Sequence, residues 1–405
     1  MDIRKEAERQ LSLLERGIEE VIPRDELLAK LERSIATGIP LRVKLGIDPT
    51  ARAIHLGHMV VYGKLRQFQD LGHQAVLILG DYTASIGDPT GRNAQRPPLT
   101  LEQVTHNAQH YTDQIFRIVD GSRAEVRRQS EWYASLTLAE ILQLAGSFSL
   151  AGLFSHETFR TRHEQGIRVG LHELMYPALQ AYDSVAVSAD IEIGGTDQKF
   201  NILAGRDVQK DRGLPPQCAL LMPLLPGLDG RKMSKSFGND IPVILDASEQ
   251  FSRLMSMADE SMEAYQRLVL LDSADSCAET ASRMAAGENP MRIKLELSQR
   301  IVERFHGQEE AICARENWER IFSRRKTPDE MPVYTITSPM DICRVLKEGG
   351  LTASLSEGRR LVIEGAVYVQ DVRVSDPGQV IDVGTSGFDE LVIHIGRRRF
   401  LRVHL

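Results

Sequence analysis

Apolar side chains recur at helical spacing through the first 35 residues, where Leu11, Leu13, Leu14, Ile18 and Ile22 gather on one face; a second short helix is predicted over 26–35. After Gly38 the pattern changes to short apolar runs. Residues 41–47 read as a buried strand, Asp48-Pro49-Thr50 as the turn out of it, 56–71 as a helix stopped before Gly72, and 75–79 as a second strand. Two strands joined by a helix form a βαβ unit, and the right-handed crossover rule places both strands in one parallel sheet. Further strands are predicted over 125–128, 187–193 and 218–224, alternating with helical stretches. The first 240 residues therefore read as an α/β domain built on a doubly wound, Rossmann-like parallel sheet. The stretch 97–170 interrupts the alternation with helices rich in Leu, Phe and Ala, and reads as an insertion whose apolar content suits a dimer interface.

Amphipathic segments over 249–257, 262–269 and 291–305 predict a separate α-helical domain over 241–325. Lys326-Thr327-Pro328-Asp329-Glu330-Met331-Pro332 has the composition of a linker, taken to span 326–336. A small α+β domain over 337–405 should follow, with helices at 339–348 and 356–364 and strands at 366–370, 379–383 and 391–395. No internal repeat or low-complexity tract appears.

The chain has 405 residues, 42% hydrophobic and 26% charged, which is ample for several buried cores. No apolar run approaches the roughly 18 residues of a membrane span, and the polar start Met1-Asp2-Ile3-Arg4-Lys5-Glu6 is unlike a secretion signal, so a cytoplasmic protein without a membrane partner is expected. Cys218, Cys277, Cys313 and Cys343 lie too far apart for a metal knuckle and read as free thiols. A net charge of -7 argues against a protein that coats nucleic acid nonspecifically. A local basic patch stays open: Arg397, Arg398, Arg399 and Arg402 crowd the last residues, where they fit either RNA contact or a solvated edge strand.

Two short motifs carry the chemistry. His55-Leu56-Gly57-His58, on a strand-to-helix turn, sets two imidazoles beside a helix N-terminus, with a glycine that lets a triphosphate approach the backbone. Alone, the histidines fit a metal half-site or two polar turn residues equally well. Lys232-Met233-Ser234-Lys235-Ser236, on a loop announced by Asp229-Gly230, supplies cations and hydroxyls suited to a pyrophosphate leaving group. Together they imply adenylation of a substrate by ATP. Asp48-Pro49-Thr50, Gly87-Asp88-Pro89 and Gly194-Gly195-Thr196-Asp197-Gln198 follow predicted strands closely and should converge on one crevice beyond the carboxyl ends of the strands. Tyr176, Gln180 and Asp183 are spaced by four and three, so a helix presents all three toward one ligand.

On these residues the chain resembles, essentially from end to end, the bacterial tyrosyl-tRNA synthetases of class I. The resemblance implies that tyrosine and ATP form tyrosyl-adenylate and pyrophosphate, and that the tyrosyl group then passes to the 3' end of tRNA(Tyr). It assigns His55, His58, Lys232 and Lys235 to the phosphates, with Thr50 as an additional contact. Gly57, Gly195, Asp197, Gln198, Met233 and Ser234 fall to the nucleotide, Asp197 on the ribose hydroxyls. Asp183 falls to the substrate phenol, and Asp88, Tyr176 and Gln180 to its ammonium group, with Asp48 also against the amino acid. Mg²⁺ is expected with the triphosphate and no metal held by the protein itself; a homodimer is also implied. Lys44 and Glu192 stand where one branch of the family has tyrosine and glutamine, which suggests the other bacterial branch, with Lys44 beside Asp183 and orienting it. The C-terminal segment 356–369 resembles an S-four-like RNA-binding module, which makes Arg359, Arg360, Arg397 and Arg398 candidate RNA contacts. A tryptophanyl synthetase or a non-enzymatic RNA-binding relative would share parts of this pattern.

Overall fold

The computed structural model describes residues 2–49, 53–89, 101–323, 331–336, 338–370, 372–382, 390–396 and 399–404. The chain divides into two compact units, Met1–Ile312 and Cys313–Leu405. Thr50, Arg397 and Arg398 lie outside the described residues.

In the first unit β1 (Glu20–Ile22), β2 (Arg42–Ile47), β3 (Gln74–Leu79), β4 (Ala124–Arg128), β5 (Ile191–Gly195) and β6 (Cys218–Met222) form one sheet in the order β1-β6-β5-β2-β3-β4. Strands β2 to β6 run parallel, and β1 closes one edge antiparallel to β6. The chain proceeds from β2 outward to β3 and β4, then returns to lay β5 on the other side of β2. The strand order reverses there, which is where such sheets open a ligand crevice. The pairing shows how: β2 and β3 match along their whole length, from Arg42↔Gln74 to Ile47↔Leu79, whereas β2 and β5 match only at Val43↔Ile191 and Lys44↔Glu192. Beyond Lys44 no further rung joins the two strands. Gly46, at the split, has open space where a Cβ would stand.

Helices α1 (Ile3–Leu14), α2 (Arg24–Thr37) and α3 (Leu56–Asp70) frame this sheet, α3 being the crossover between β2 and β3. The expected helical face through Ile18 and Ile22 ends early. Gly17 takes a left-handed φ of 71° with the Arg267 carbonyl pressed against it, a position closed to any side chain, and Ile22 lies in β1. Val187, expected to begin a strand, instead caps the helix α4 (Leu171–Ala186). Strand β6 stops at Met222 because Pro223 has no N–H to continue the ladder. The expected insertion over 97–170 is narrower, since β4 within it is an edge strand of the sheet. The helices Ala247–Leu254, Met262–Leu268 and Pro290–His306, expected as a separate domain, are grouped with the sheet in the first unit.

The second unit has a five-stranded sheet in the order β10-β9-β12-β13-β7, from β7 (Val333–Thr335), β9 (Val367–Val369), β10 (Val372–Arg373), β12 (Leu391–Ile395) and β13 (Arg399–His404). A two-stranded ribbon pairs β8 (Met340–Asp341) with β11 (Val380–Ile381). Helices α5 (Ile342–Glu348) and α6 (Leu355–Ile363) supply Ile342, Val345, Leu346 and Val362 to a core with Ile393, Ile395, Leu401 and Val403. The arginine-rich end is therefore not a solvated edge: β13 lies between β12 and β7, with Leu401 and Val403 fully buried. All four cysteines are free. Among the described residues no helix is long and apolar enough to cross a membrane.

Candidate active site

Backbone pairing brings the two motifs together. Leu56 N–H donates to the Ile241 carbonyl at 3.0 Å and Val243 N–H to the Ile54 carbonyl at 2.9 Å, so the segment entering α3 is tied to the segment leaving the lysine loop. The Gly57 N–H points at the buried Met233 Sδ, 3.3 Å away. A Cβ on Gly57 would stand 3.0 Å from the His55 ring, tighter than ordinary contact. The two imidazoles face each other with centroids 3.9 Å apart, and the His55 backbone N–H donates to His58 Nδ1 at 3.3 Å. Burial, reinforced by Lys235 and Lys232, pushes His55 down to about 4; burial, His55 and Lys235 push His58 down to about 3. Both rings are thus neutral at pH 7. They offer N–H donors at the helix N-terminus, while the positive charge comes from the lysines.

Asn239 organises the lysine loop. Its Oδ1 accepts from Ser234 N–H at 2.8 Å, and its Nδ2 donates to Asp229 Oδ1 at 2.7 Å and to the Lys232 carbonyl at 3.2 Å. Hydrogen bonds from Asn239 and Arg231 hold Asp229 down at about 2. Lys232 Nζ donates to Asp197 Oδ2 at 3.1 Å, and Lys235 Nζ donates to the Ala53 carbonyl. Asp197 is therefore already paired with the lysine expected to take phosphate.

At the split between β2 and β5 lies a cavity of about 290 Å³, lined by Asp48, His58, Asp88, Tyr176, Gln180, Asp183, Gly195 and Gln198, but not by His55, Asp197, Lys232 or Lys235. Tyr176, Gln180 and Asp183 all project into it from α4, as their spacing predicts. Asp183 Oδ2 accepts from Gln129 Nε2 at 2.8 Å, and Oδ1 accepts from Trp132 Nε1 at 3.1 Å. The Tyr133 hydroxyl is 3.1 Å from the same Oδ1 and 2.5 Å from the Leu179 carbonyl, so its single proton serves one acceptor at a time. Gln129, Trp132 and Tyr133 carry no signal in the sequence that marks them for this site.

A second chain of bonds crosses the cavity. Gln129 Oε1 accepts from Thr83 N–H at 3.0 Å, Thr83 Oγ1 donates to Asp48 Oδ1 at 2.7 Å, and the Tyr176 hydroxyl donates to Asp48 Oδ2 at 2.9 Å. Gly80 leaves room for this: a Cβ there would collide with both Asp48 and Thr83. Gln198 Nε2 donates to Asp88 Oδ2 at 2.8 Å. Burial raises Asp48 to about 7, and the charges of Asp88 and Asp183 push the same way. Burial also raises Asp183 to about 7, against the Lys44 charge and the Gln129 bond. Two buried carboxylates poised near neutrality suit a ligand that brings its own cation and its own hydroxyl.

Lys44, expected beside Asp183, acts on it by charge and makes its direct contacts with other groups. Its Nζ lies 3.0 Å from Glu192 Oε1 and donates to Ser184 Oγ at 2.8 Å and to the Gln180 carbonyl at 3.0 Å. Glu192 also accepts from Gln180 Nε2 at 3.1 Å, Ser184 Oγ at 3.1 Å and Gln217 Nε2 at 2.5 Å. The pair forms the last rung between β2 and β5 and is fully buried, with Glu192 lining the cavity, and Lys44 reaches Asp183 only through its charge.

The comparisons with known proteins agree with this architecture. The family model described as tRNA synthetases class I (W and Y) matches residues 37–323. The tyrosine–tRNA ligase of Desulfotalea psychrophila is 43% identical over 400 residues, covering 98% of each chain; that of Bordetella avium is 43% identical over 405 residues, covering 100% of this chain and 98% of the relative. Among solved structures, a C-terminally truncated mitochondrial tyrosyl-tRNA synthetase of Aspergillus nidulans aligns at a TM-score of 0.63 with 21% identity, covering 79% of this chain and 99% of its own. A tyrosyl-tRNA synthetase of Archaeoglobus fulgidus complexed with L-tyrosine aligns at 0.61 with 24% identity, covering 76% and 99%. These two share the fold. With the sheet, the paired motifs and the match over most of its length, the chain belongs to the tryptophan and tyrosine group of the class I tRNA synthetases.

Proposed function

We propose that the chain is a tyrosine–tRNA ligase, which activates L-tyrosine with MgATP and passes the tyrosyl group to the 3' end of tRNA(Tyr). The observation that carries this reading is Asp183, a buried carboxylate at the cavity floor with Gln129, Trp132 and Tyr133 fixing its orientation. A phenol hydroxyl adds one more hydrogen bond to this carboxylate, whereas phenylalanine leaves that acceptor position unfilled and shut off from water, at a cost of about 1–3 kcal/mol. The substrate ammonium lies toward Asp48, Asp88 and Tyr176, and its charge ionises Asp48. Gln180 acts less on the ammonium than on the floor, since its amide is held by Glu192.

The tyrosine carboxylate attacks the α-phosphate in line and pyrophosphate leaves. The nucleophile is already an anion, so the chain needs no general base, and its contribution is placement and charge stabilisation. His55 and His58 donate N–H groups to the triphosphate, and Lys232 and Lys235 neutralise it. To reach the phosphates Lys232 leaves Asp197, which frees that carboxylate for the ribose hydroxyls. Gly57 and Gly195 let the nucleotide approach, and Mg²⁺ arrives as part of the substrate. The C-terminal unit binds the tRNA, with Arg359 and Arg360 of α6 on its phosphates. Exposed Leu138, Leu142, Leu150 and Leu171 support a homodimer built on the helical segment after β4.

Charging of transcribed tRNA(Tyr) with radiolabelled tyrosine tests the whole reading. Removal of residues beyond about 335 should spare adenylate formation and abolish charging; equal loss of both steps would contradict the division of labour.

A further inference from the structure

The sheet of the C-terminal unit is packed by α5 and α6 on one face. Across the other face runs a row of three rings. Tyr368 of β9 stands opposite His394 of β12, which in turn stands opposite Phe400 of β13. The Tyr368 and His394 rings are 4.8 Å apart and within 6° of parallel; His394 and Phe400 are 5.3 Å apart at 33°. Near-parallel rings at that separation are offset, so each leaves part of its π face uncovered. All three side chains are partly exposed. In the next row of the same face Val392 stands opposite Arg402, whose Nε makes no hydrogen bond and lies 3.5 Å from Glu390.

A cross-strand aromatic pair stabilises any sheet. Three rings in a row beside an arginine have, in addition, the composition that receives nucleobases: every base can stack on a ring, and a guanidinium takes a phosphate. Protein interfaces also favour aromatic and arginine side chains, so it is tRNA as the partner of this unit that selects nucleotides as the occupant. We propose that this face binds unpaired nucleotides of the tRNA, with bases stacked against the Tyr368–His394–Phe400 row and Arg402 on an adjoining phosphate. The proposal rests on tRNA being the partner of this unit, and it adds a second contact surface. Arg359 and Arg360 belong to α6, on the opposite side of the sheet, so they and the ring row engage different parts of one RNA.

The test is the affinity of the full chain for transcribed tRNA(Tyr), read by fluorescence anisotropy over a range of salt. Tyr368→Leu and Phe400→Leu keep apolar bulk and remove the π face; each should weaken binding about 5-fold or more, with the salt dependence unchanged. Arg402→Gln should weaken binding and reduce the slope of log K against log salt by about one. The aromatic exchanges Tyr368→Phe and Phe400→Tyr should retain full affinity. If they lose it as the leucine variants do, the rings serve packing alone and the proposal fails. Unchanged affinity in the leucine variants, beside normal tRNA binding and charging by the unaltered chain, refutes the stacking face alone. Absence of any tRNA binding by the unaltered chain refutes the tRNA reading together with it.

Discussion

Replacing Lys44 by methionine separates two roles that the structure gives this side chain. Lys44 and Glu192 are both buried, 3.0 Å apart, on the last rung before β2 and β5 part. In Lys44→Met, Glu192 keeps its neutral donors Gln180, Ser184 and Gln217 and loses its cation. Breaking a buried pair from one side costs about 3–5 kcal/mol, a large part of the roughly 5–15 kcal/mol that holds a folded protein together. Unfolding in urea, followed by Trp132 fluorescence in a Trp318→Phe background, should show that loss. In Lys44→Met/Glu192→Gln no charge is stranded, and stability should return to within about 2 kcal/mol of the unaltered chain. Selectivity should return only in part. The Lys44 charge is the largest of the effects that oppose burial at Asp183, and the Glu192 charge acts the other way, so Lys44→Met moves Asp183 above 7 and the double variant, which removes both charges, moves it less. The ratio of kcat/KM for tyrosine over phenylalanine in pyrophosphate exchange should then fall about 10-fold or more in the single variant and by less in the double. A single variant within about 1 kcal/mol of the unaltered chain would refute the stability argument; a single variant with full discrimination would refute the electrostatic one.

Gln129→Leu removes the donor to Asp183 and the acceptor for Thr83, so the KM for tyrosine should rise about 10-fold or more, with that for ATP within about twofold; equal rises in both would contradict its placement. Asp48, raised to about 7, is protonated in part of the empty molecules at neutral pH. Because a bound ammonium lowers that value, tyrosine binding near pH 7 should release a fraction of a proton, seen calorimetrically as a dependence of the binding enthalpy on the buffer's ionisation enthalpy. Proton uptake, or no exchange of protons, would overturn the assignment. Asn239→Ala loosens the lysine loop and should raise the KM for ATP while leaving the affinity for tyrosine unchanged. A loss confined to tyrosine would place Asn239's effect elsewhere.

The βαβ core was legible because its signals are local: apolar runs in β2 and β3, a helix between them, and turn residues at Asp48-Pro49 and Gly72. The Tyr176, Gln180 and Asp183 triplet was legible because helical geometry turns spacing into a shared face. What holds Asp183 was not. Gln129, Trp132 and Tyr133 follow β4 and reach Asp183 only because the sheet carries them there, and nothing in their spacing encodes that. Lys44 drew attention as an unusual residue, yet its direct partner follows from the register of two parallel strands that lie far apart in sequence. Ile18 and Ile22 misled for the opposite reason: their four-residue spacing imitates a helix that the left-handed Gly17 ends.

Pyrophosphate exchange into ATP, run with tyrosine, phenylalanine and tryptophan in parallel, tests most directly the claim that the cavity floored by Asp183 selects a phenol for adenylation. Exchange should be robust with tyrosine and very weak with phenylalanine or tryptophan, and Asp183→Asn should lose the preference for tyrosine over phenylalanine. Exchange with tryptophan at the tyrosine rate, or none with any of the three, would contradict that claim.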